Sequence, residues 1–408
     1  MDRLAIHGGE PYRKRPFPPR TPFGEEEVEL VTQAIRSQNL FRWGGRMVDA
    51  FEQRFAALYG ARFAVTATSG TAAIHLAVGT VDPNPGDEII TAPISDLGSV
   101  TPILQQNAIP IFADIDPATF NMDPEDVERK ITPRTRAILV VHLFGNGCDM
   151  DAMTEIAWRH GLPLIEDCSQ AHATQYRGRW LGTMGDFGCF SLQQSKHMTT
   201  GDGGVTITSD EKHWERLRFF VDKGFRRQGW GPRAYLFLAP NYRMTELEGA
   251  VGLAQIPKVR RVVEQRMALG RRLTEMLAEV EGVQPAAVTP GSEHSYWAYP
   301  LRTGRMDGVA FGEALRAEGV PNMPGYIGKP IYLCAESLVA KRTYGSSGFP
   351  FDSPYTERRI EYREGMCPRT DEGLRHMLTL GINEYYTEPD LADIAGAVAK
   401  VAHGLRAQ

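Results

Sequence analysis

One lysine stands in an unusual place in this chain. The run Phe187-Gly-Cys-Phe-Ser-Leu-Gln-Gln-Ser-Lys-His-Met-Thr-Thr-Gly-Asp-Gly-Gly204 sets Lys196 just after an apolar strand pattern and just before a cluster of glycines. Gly201, Gly203 and Gly204 let backbone turn tightly beside a bound group. An amine at a strand terminus faces the crevice in which open α/β sheets take their ligands, where it could capture an electrophilic carbonyl. Taken alone, such a pattern fits a solvated surface lysine better; its companions change the reading. Leu162-Pro-Leu-Ile-Glu-Asp167 is a second buried-looking strand, and it ends in acid. Asp167 reaches the same crevice while Glu166 points to the other side of the strand. In isolation Asp167 could also cap a following helix, the lesser of the two readings. In Val65-Thr-Ala-Thr-Ser-Gly-Thr-Ala-Ala73 a strand gives way to a helix through small polar residues. Free N–H groups there, with the hydroxyls of Ser69 and Thr71, suit a phosphate dianion, although Ser-Gly-Thr also makes an ordinary N-cap. Phosphate cradle, acid and amine at one sheet edge suit a phosphorylated pyridine aldehyde, whose ring nitrogen needs an anion beside it to stay protonated and withdraw electrons.

The elements that must position these residues can be read from periodicity. Short apolar runs alternate with amphipathic stretches, predicting strands at 62–67, 88–91, 109–112, 137–142, 163–167, 187–191 and 205–208. Most are too apolar to have a wet face, so they belong in a mainly parallel sheet covered by helices such as 71–78 and 150–160. Helical spacing of Val259, Val262, Val263, Met267, Leu273 and Met276 predicts a connecting helix over 257–280. Beyond it, a strand at 295–301 and helices at 307–318, 371–378 and 389–402 predict a small α+β unit, with a Gly-, Ser-, Pro- and Tyr-rich loop over 325–367. The division expected is a large domain over 1–256, and a connecting helix with a small C-terminal domain over 257–408.

Composition narrows the classes. The 408 residues exceed one ordinary compact domain. With 42% hydrophobic and 23% charged residues, the balance is that of a globular protein, and no run of about 18 apolar residues offers itself to a bilayer. Residues 1–17 lack the apolar core of a secretory signal, so the expected location is the cytoplasm. A net charge of −5 gives no broad basic field for nucleic acid. Five cysteines are scattered without disulfide or zinc spacing, and the histidines show no chelating repeat, so no metal is expected. Neither G-x-G-x-x-G after the first strand nor a Walker A lysine motif is present.

In order and wording the chain resembles the DegT/DnrJ/EryC1/StrS sugar aminotransferases, a fold-type I pyridoxal-phosphate (PLP) group. The matching segments are Phe23-Gly-Glu-Glu-Glu-Val, Thr68-Ser-Gly-Thr71, Pro85-Gly-Asp-Glu88, Val141-His-Leu-Phe-Gly145, Ile165-Glu-Asp-Cys-Ser-Gln170, Gly182-Thr-Met-Gly-Asp186, the Lys196 run, and Asn241-Tyr-Arg-Met-Thr-Glu-Leu247. The resemblance implies that Lys196 holds the cofactor as a Schiff base and later shuttles a proton, and that Asp167 pairs with the ring nitrogen. It further implies that Gln170 lies near the ring hydroxyl and that Gly70, Thr71 and Ser191 bind phosphate. Asn241 matches an asparagine reaching the phosphate of a neighbouring subunit's cofactor, which implies a homodimer with shared sites; read without the resemblance, it is a turn residue before a helix over 244–255. One departure concerns Asp96, which aligns where many relatives carry an aromatic residue on the cofactor ring. Leu97 covering the ring, a one-residue shift of register, and contact of Asp96 with a polar substrate are the alternatives.

Lysine at position 196, where members running a dehydration carry histidine, favours amino transfer. The donor the resemblance suggests is glutamine or glutamate. Gln193-Gln194 before the lysine looks closest to the branch acting on keto-cyclitols of the scyllo-inosose type, in aminosugar and aminocyclitol biosynthesis, and amide groups suit a polyol. Tyr326 and Lys329 lie in a loop that could face the acceptor. The alternatives are a nucleotide-linked 3- or 4-keto-sugar aminotransferase and, in another class, a non-catalytic PLP-binding regulatory protein.

Overall fold

The computed structural model describes residues 3–227, 232–357 and 359–406. Its centre is a seven-stranded sheet of β1 (Phe63–Ala67), β2 (Glu88–Thr91), β3 (Ile109–Phe112), β4 (Thr135–Val141), β5 (Leu164–Asp167), β6 (Phe187–Ser191) and β7 (Gly204–Thr208). The spatial order is β1-β7-β6-β5-β4-β2-β3. From β6 to β3 every neighbouring pair is parallel; β7 runs antiparallel to both β6 and β1. The sheet is thus mainly parallel, as its apolar strands imply, and nearly every strand residue is buried. The parallel strands β2, β4, β5 and β6 all end toward the same edge, so residues following them converge there.

Helices α1 (Glu25–Arg36), α2 (Met47–Tyr59), α3 (Gly70–Val81) and α4 (Met150–His160) precede the long α5 (Glu246–Leu277). Phe55 and Tyr59 of α2 pack on Phe190 of β6, with ring centroids 5.2 and 4.6 Å apart. The Tyr59 hydroxyl accepts the Ala173 N–H at 3.1 Å, tying the segment after β5 to this helix. Close approach also dictates one residue outright: a Cβ on Gly188 would sit 2.3 Å from the Gly182 carbonyl oxygen.

A second sheet of four strands orders β8 (Gln284–Pro285), β9 (Tyr299–Arg302), β11 (Met377–Leu380) and β10 (Asn322–Pro324), all antiparallel. Together with α6 (Gly308–Ala317) and α7 (Glu388–Arg406) it encloses its own core, built on Tyr299, Leu301, Phe311, Leu378, Leu391 and Val398. Helix α5 spans both cores: Leu253, Val259 and Val263 join the large one, Leu273 and Leu277 the small one.

Three local expectations change. The helix expected over 257–280 begins at Glu246 and absorbs the 244–255 helix, because Thr245 and Glu248 form a capping box at its start and Pro257 is accommodated inside it. Residues 377–378, expected to end a helix, open β11: the helix before it is Pro368–Arg375, and a short apolar run has no period of its own to separate strand from helix. The 325–367 loop contains two short helices, Ile331–Cys334 and Glu336–Val339. No helix among the described residues is long and apolar enough to cross a membrane.

Glu246, buried at the first turn of α5, accepts the Arg46 and Met47 N–H groups at 2.7 Å each and that of Val48 at 3.1 Å. It thereby closes the start of α2 against the start of α5. Glu246→Ala strands these donors, and it should lower the unfolding free energy by about 2–3 kcal/mol, read as an earlier thermal or urea midpoint.

Candidate active site

A cavity of about 330 Å³ opens at the edge where the parallel strands end. Lys196, Asp167, Ser69, Gly70, Thr71, Gln170, Ser191, Asp96, Gln193 and Tyr326 all line it. Lys329 and Asn241 do not. Lys329 is exposed in a separate groove beside Asp307 and Arg375, because the chain turns away after Tyr326. Asn241 is exposed, bridged to Asp222.

The cradle comes first. Ser69 ends the turn after β1, and its hydroxyl accepts the Ala72 N–H at 3.0 Å, capping α3. The N–H groups of Gly70 and Thr71 have no partner within the helix by its geometry, and they carry the positive end of its dipole. Gly70 is forced by proximity to β6, since a Cβ there would lie 2.6 Å from that of Ser191. Ser191 is itself paired with Gly204, so the two strands holding the lysine loop are joined at its base.

Asp167 ends β5 with its side chain toward the cavity. Its Oδ2 accepts the Ser99 hydroxyl at 2.7 Å and its Oδ1 the Ser169 N–H at 3.0 Å; Ser99 is bonded in turn to the Ser95 hydroxyl at 2.7 Å. The carboxylate is therefore oriented from two sides. Glu166 faces the other way, as strand alternation requires. It accepts the Gly182, Met184 and Gly185 N–H groups at 2.6–2.7 Å and lies 3.1 Å from His142 Nε2. His142, Glu166 and Cys168 lie close enough to share a ligand. Glu166 is already engaged in fixing the turn that precedes β6.

Lys196 follows β6, its backbone N–H donating to the Gln193 carbonyl at 2.9 Å. The amine lies 4.2 Å from the centre of the Trp297 ring. Burial disfavours its charge more than Asp167 and Asp96 favour it, and its pKa is pushed down to about 8. Beneath the loop, burial holds His197 well below the usual histidine range and His172 at about 4. Both are neutral near pH 7, which leaves the lysine as the titrating base of the loop. Gln170 accepts the Phe144 N–H at 2.7 Å and donates to the Tyr326 hydroxyl at 3.1 Å, leaving one amide hydrogen for another acceptor. Burial raises the Tyr326 hydroxyl to about 12, so it stays a neutral donor. Asp96 sits exposed at the rim, its Oδ1 accepting the Gly98 N–H at 2.8 Å. Leu97 is 39% exposed and does not line the cavity.

Sequence reading missed Ser95, Ser99, Ser169, Asp202 and Trp297, which also line the space. Ser95 and Ser99 had only their proximity to Asp96 to mark them, and Trp297 arrives from the segment before the small sheet. Lys196 is the sole cation among the described lining residues, against Asp96, Asp167 and Asp202. A depressed amine beside an oriented carboxylate, with helix N–H groups and hydroxyls at the far end, fits a phosphorylated pyridine aldehyde in donor set and size.

Comparison with known proteins agrees. The model of the DegT/DnrJ/EryC1/StrS aminotransferase family matches residues 22–399. A Streptoalloteichus tenebrarius protein named L-glutamine:2-deoxy-scyllo-inosose aminotransferase is 34% identical, covering 98% of this chain and 97% of its own. A Micromonospora echinospora protein, named for an L-glutamine:3-amino-2,3-dideoxy-scyllo-inosose aminotransferase activity, is 39% identical over 71% of this chain and 69% of its own. Among solved structures, S. venezuelae DesV in complex with a ketimine intermediate superposes with a TM-score of 0.82 at 28% identity, covering 93% of this chain and 94% of that one.

The amine's depressed pKa sets a pH dependence. Only the neutral amine attacks an aldehyde, and Lys196 is protonated below about 8 and neutral above it. Capture of added pyridoxal phosphate by the cofactor-free protein should therefore rise about tenfold per pH unit below that point and level off above it, followed as visible absorbance. A midpoint near the ordinary lysine value would remove the burial argument.

Proposed function

The chain belongs to the DegT/DnrJ/EryC1/StrS aminotransferase family and carries out PLP-dependent amino transfer; we propose that it moves the amino group of glutamine or glutamate to a keto-cyclitol of the scyllo-inosose type. The observation that carries the chemistry is the meeting of Lys196 and Asp167 in one cavity. When bound, the cofactor supplies an aldehyde carbon that links to amines and a ring that draws electrons from it.

The rest follows from the protein's own groups. Lys196 would be the nucleophile that holds the cofactor and the base that moves a proton during amino transfer. Its low pKa serves both tasks, since a base near neutrality can take a proton and return it. Asp167, oriented by Ser99 and the Ser169 N–H, would be the anion that keeps the ring nitrogen protonated. The α3 N-terminus with Ser69, Gly70, Thr71 and Ser191 would hold the phosphate, and Gln170, with its spare amide hydrogen, would serve the ring hydroxyl. Gln193, Ser195 and Tyr326 offer uncharged donors and acceptors to a polyol. That choice of acceptor is supported by the relative matched over 98% of the chain. Asn241, exposed and outside its own chain's cavity, is available to a neighbouring subunit, consistent with a homodimer of shared sites.

Three experiments test this reading. With glutamine as donor, a screen of inososes and nucleotide-linked keto-sugars, read by mass change, should convert an inosose; conversion of the nucleotide-linked ketones alone would reassign the acceptor. Lys196→Ala should abolish the cofactor's lysine-linked absorbance and turnover while keeping the thermal midpoint. Co-purified hybrids of Lys196→Ala with Asn241→Ala subunits should regain activity if sites are shared, because one of the two then has both residues intact. Inactive hybrids would argue for self-contained subunits.

A further inference from the structure

The carbonyl oxygens of the lysine loop are bonded largely from outside the sheet that carries it. Gln193 O is satisfied within the turn by the Lys196 N–H. Gln194 O accepts Arg20 Nη1 at 3.2 Å, Ser195 O accepts Trp297 Nε1 at 3.1 Å, and His197 O accepts Arg20 Nη2 at 2.8 Å. Arg20 thus bonds the backbone on both sides of Lys196. Its third nitrogen, Nε, donates to Glu384 Oε1 at 2.8 Å. The other Glu384 oxygen accepts a hydrogen bond of 2.9 Å from Nε of Arg266, in the middle of α5, and forms an ion pair with its Nη2 at 2.9 Å. The side chains of Arg20, Glu384 and Arg266 are 13%, 5% and 3% exposed. One guanidinium therefore joins the N-terminal segment, the loop between β11 and α7, and the lysine loop.

We propose that Arg20 is a positioning residue for Lys196: its guanidinium, oriented by Glu384, fixes the backbone on either side of the lysine and so sets the direction and the dryness of the amine. The proposal rests on the reading of Lys196 as the cofactor's lysine. A planar fork presents donors on three separate nitrogens and so meets two carbonyls and a carboxylate spread around it, whereas an ammonium's three donors leave from a single atom. Without it, the carbonyl of buried His197, next to the lysine, must find water, and that water arrives beside an amine whose lowered pKa depends on its absence. Glu384 holds the fork in place. Burial works against its charge, yet Arg266 and Arg20 keep its carboxyl below the usual range. The two arginines and one carboxylate thus form a bonded unit whose loss is felt at the loop.

The test measures PLP capture by the cofactor-free wild type, Arg20→Lys, Arg20→Gln and Glu384→Gln across pH, with a thermal melt of each. In both Arg20 variants the midpoint of capture should move up by about one unit, slowing capture at pH 7.5 by roughly eightfold. Glu384→Gln should shift it in the same direction by less. Should Arg20→Gln fail to fold, Arg20→Lys and Glu384→Gln carry the measurement. Lower melting temperatures with unchanged midpoints and rates would make Arg20 a purely structural residue and overturn the proposal. A wild type that forms no lysine adduct would instead overturn the reading of Lys196, and the role given to Arg20 with it.

Discussion

Everything at the cavity depends on keeping an amine largely dry within the field of carboxylates. Water would return Lys196 to its ordinary basicity, and a dry pocket lacking Asp167 would lose the anion proposed to hold the cofactor's ring charged. The two demands pull against each other, because a carboxylate stabilises the very ammonium that burial disfavours. The balance found here, an amine near 8, goes with an Asp167 whose two oxygens are already engaged by Ser99 and the Ser169 N–H and with a lysine loop bonded down on several sides.

The fold supplies that arrangement through a break in its own regularity. Parallel strands deliver Asp167 and Ser191 to one edge, yet the lysine loop does not leave by a crossover helix. It returns directly into antiparallel β7, which pairs back to Ser191 through Gly204. A crossover would have carried Lys196 away from the crevice; the hairpin-like return keeps it there. The small unit then reaches over the loop, Trp297 by its indole N–H and Glu384 through Arg20.

All seven strands of the central sheet could be read from sequence, because buried strands write continuous apolar runs and glycine or proline punctuates them. Lys196, Asp167 and the Ser69-Gly70-Thr71 turn could be found because each sits at the end of such a run. What sequence concealed was non-local. Ser99 touches Asp167 only after β2 and β5 are brought near one another in the sheet, and Arg20 meets His197 across most of the large unit's length. Met377–Leu380 was lost for a different reason: four buried residues have no period to distinguish a strand from the tail of a helix. Lys329 was placed with Tyr326 by mere adjacency, yet positive φ at Tyr326 and at Gly328 turns the chain between them.

The pairing of Ser191 with Gly204 has a mechanical consequence. With the loop's two feet clamped side by side and its crown gripped by Arg20 and Trp297, backbone travel is denied to the residue at its centre. In the role proposed for Lys196, the stroke of the amine falls to rotation of its own four methylenes, as a crank turns on a fixed bearing. The length of a lysine side chain is then a machined dimension of the enzyme, which no flexing of the frame can make good.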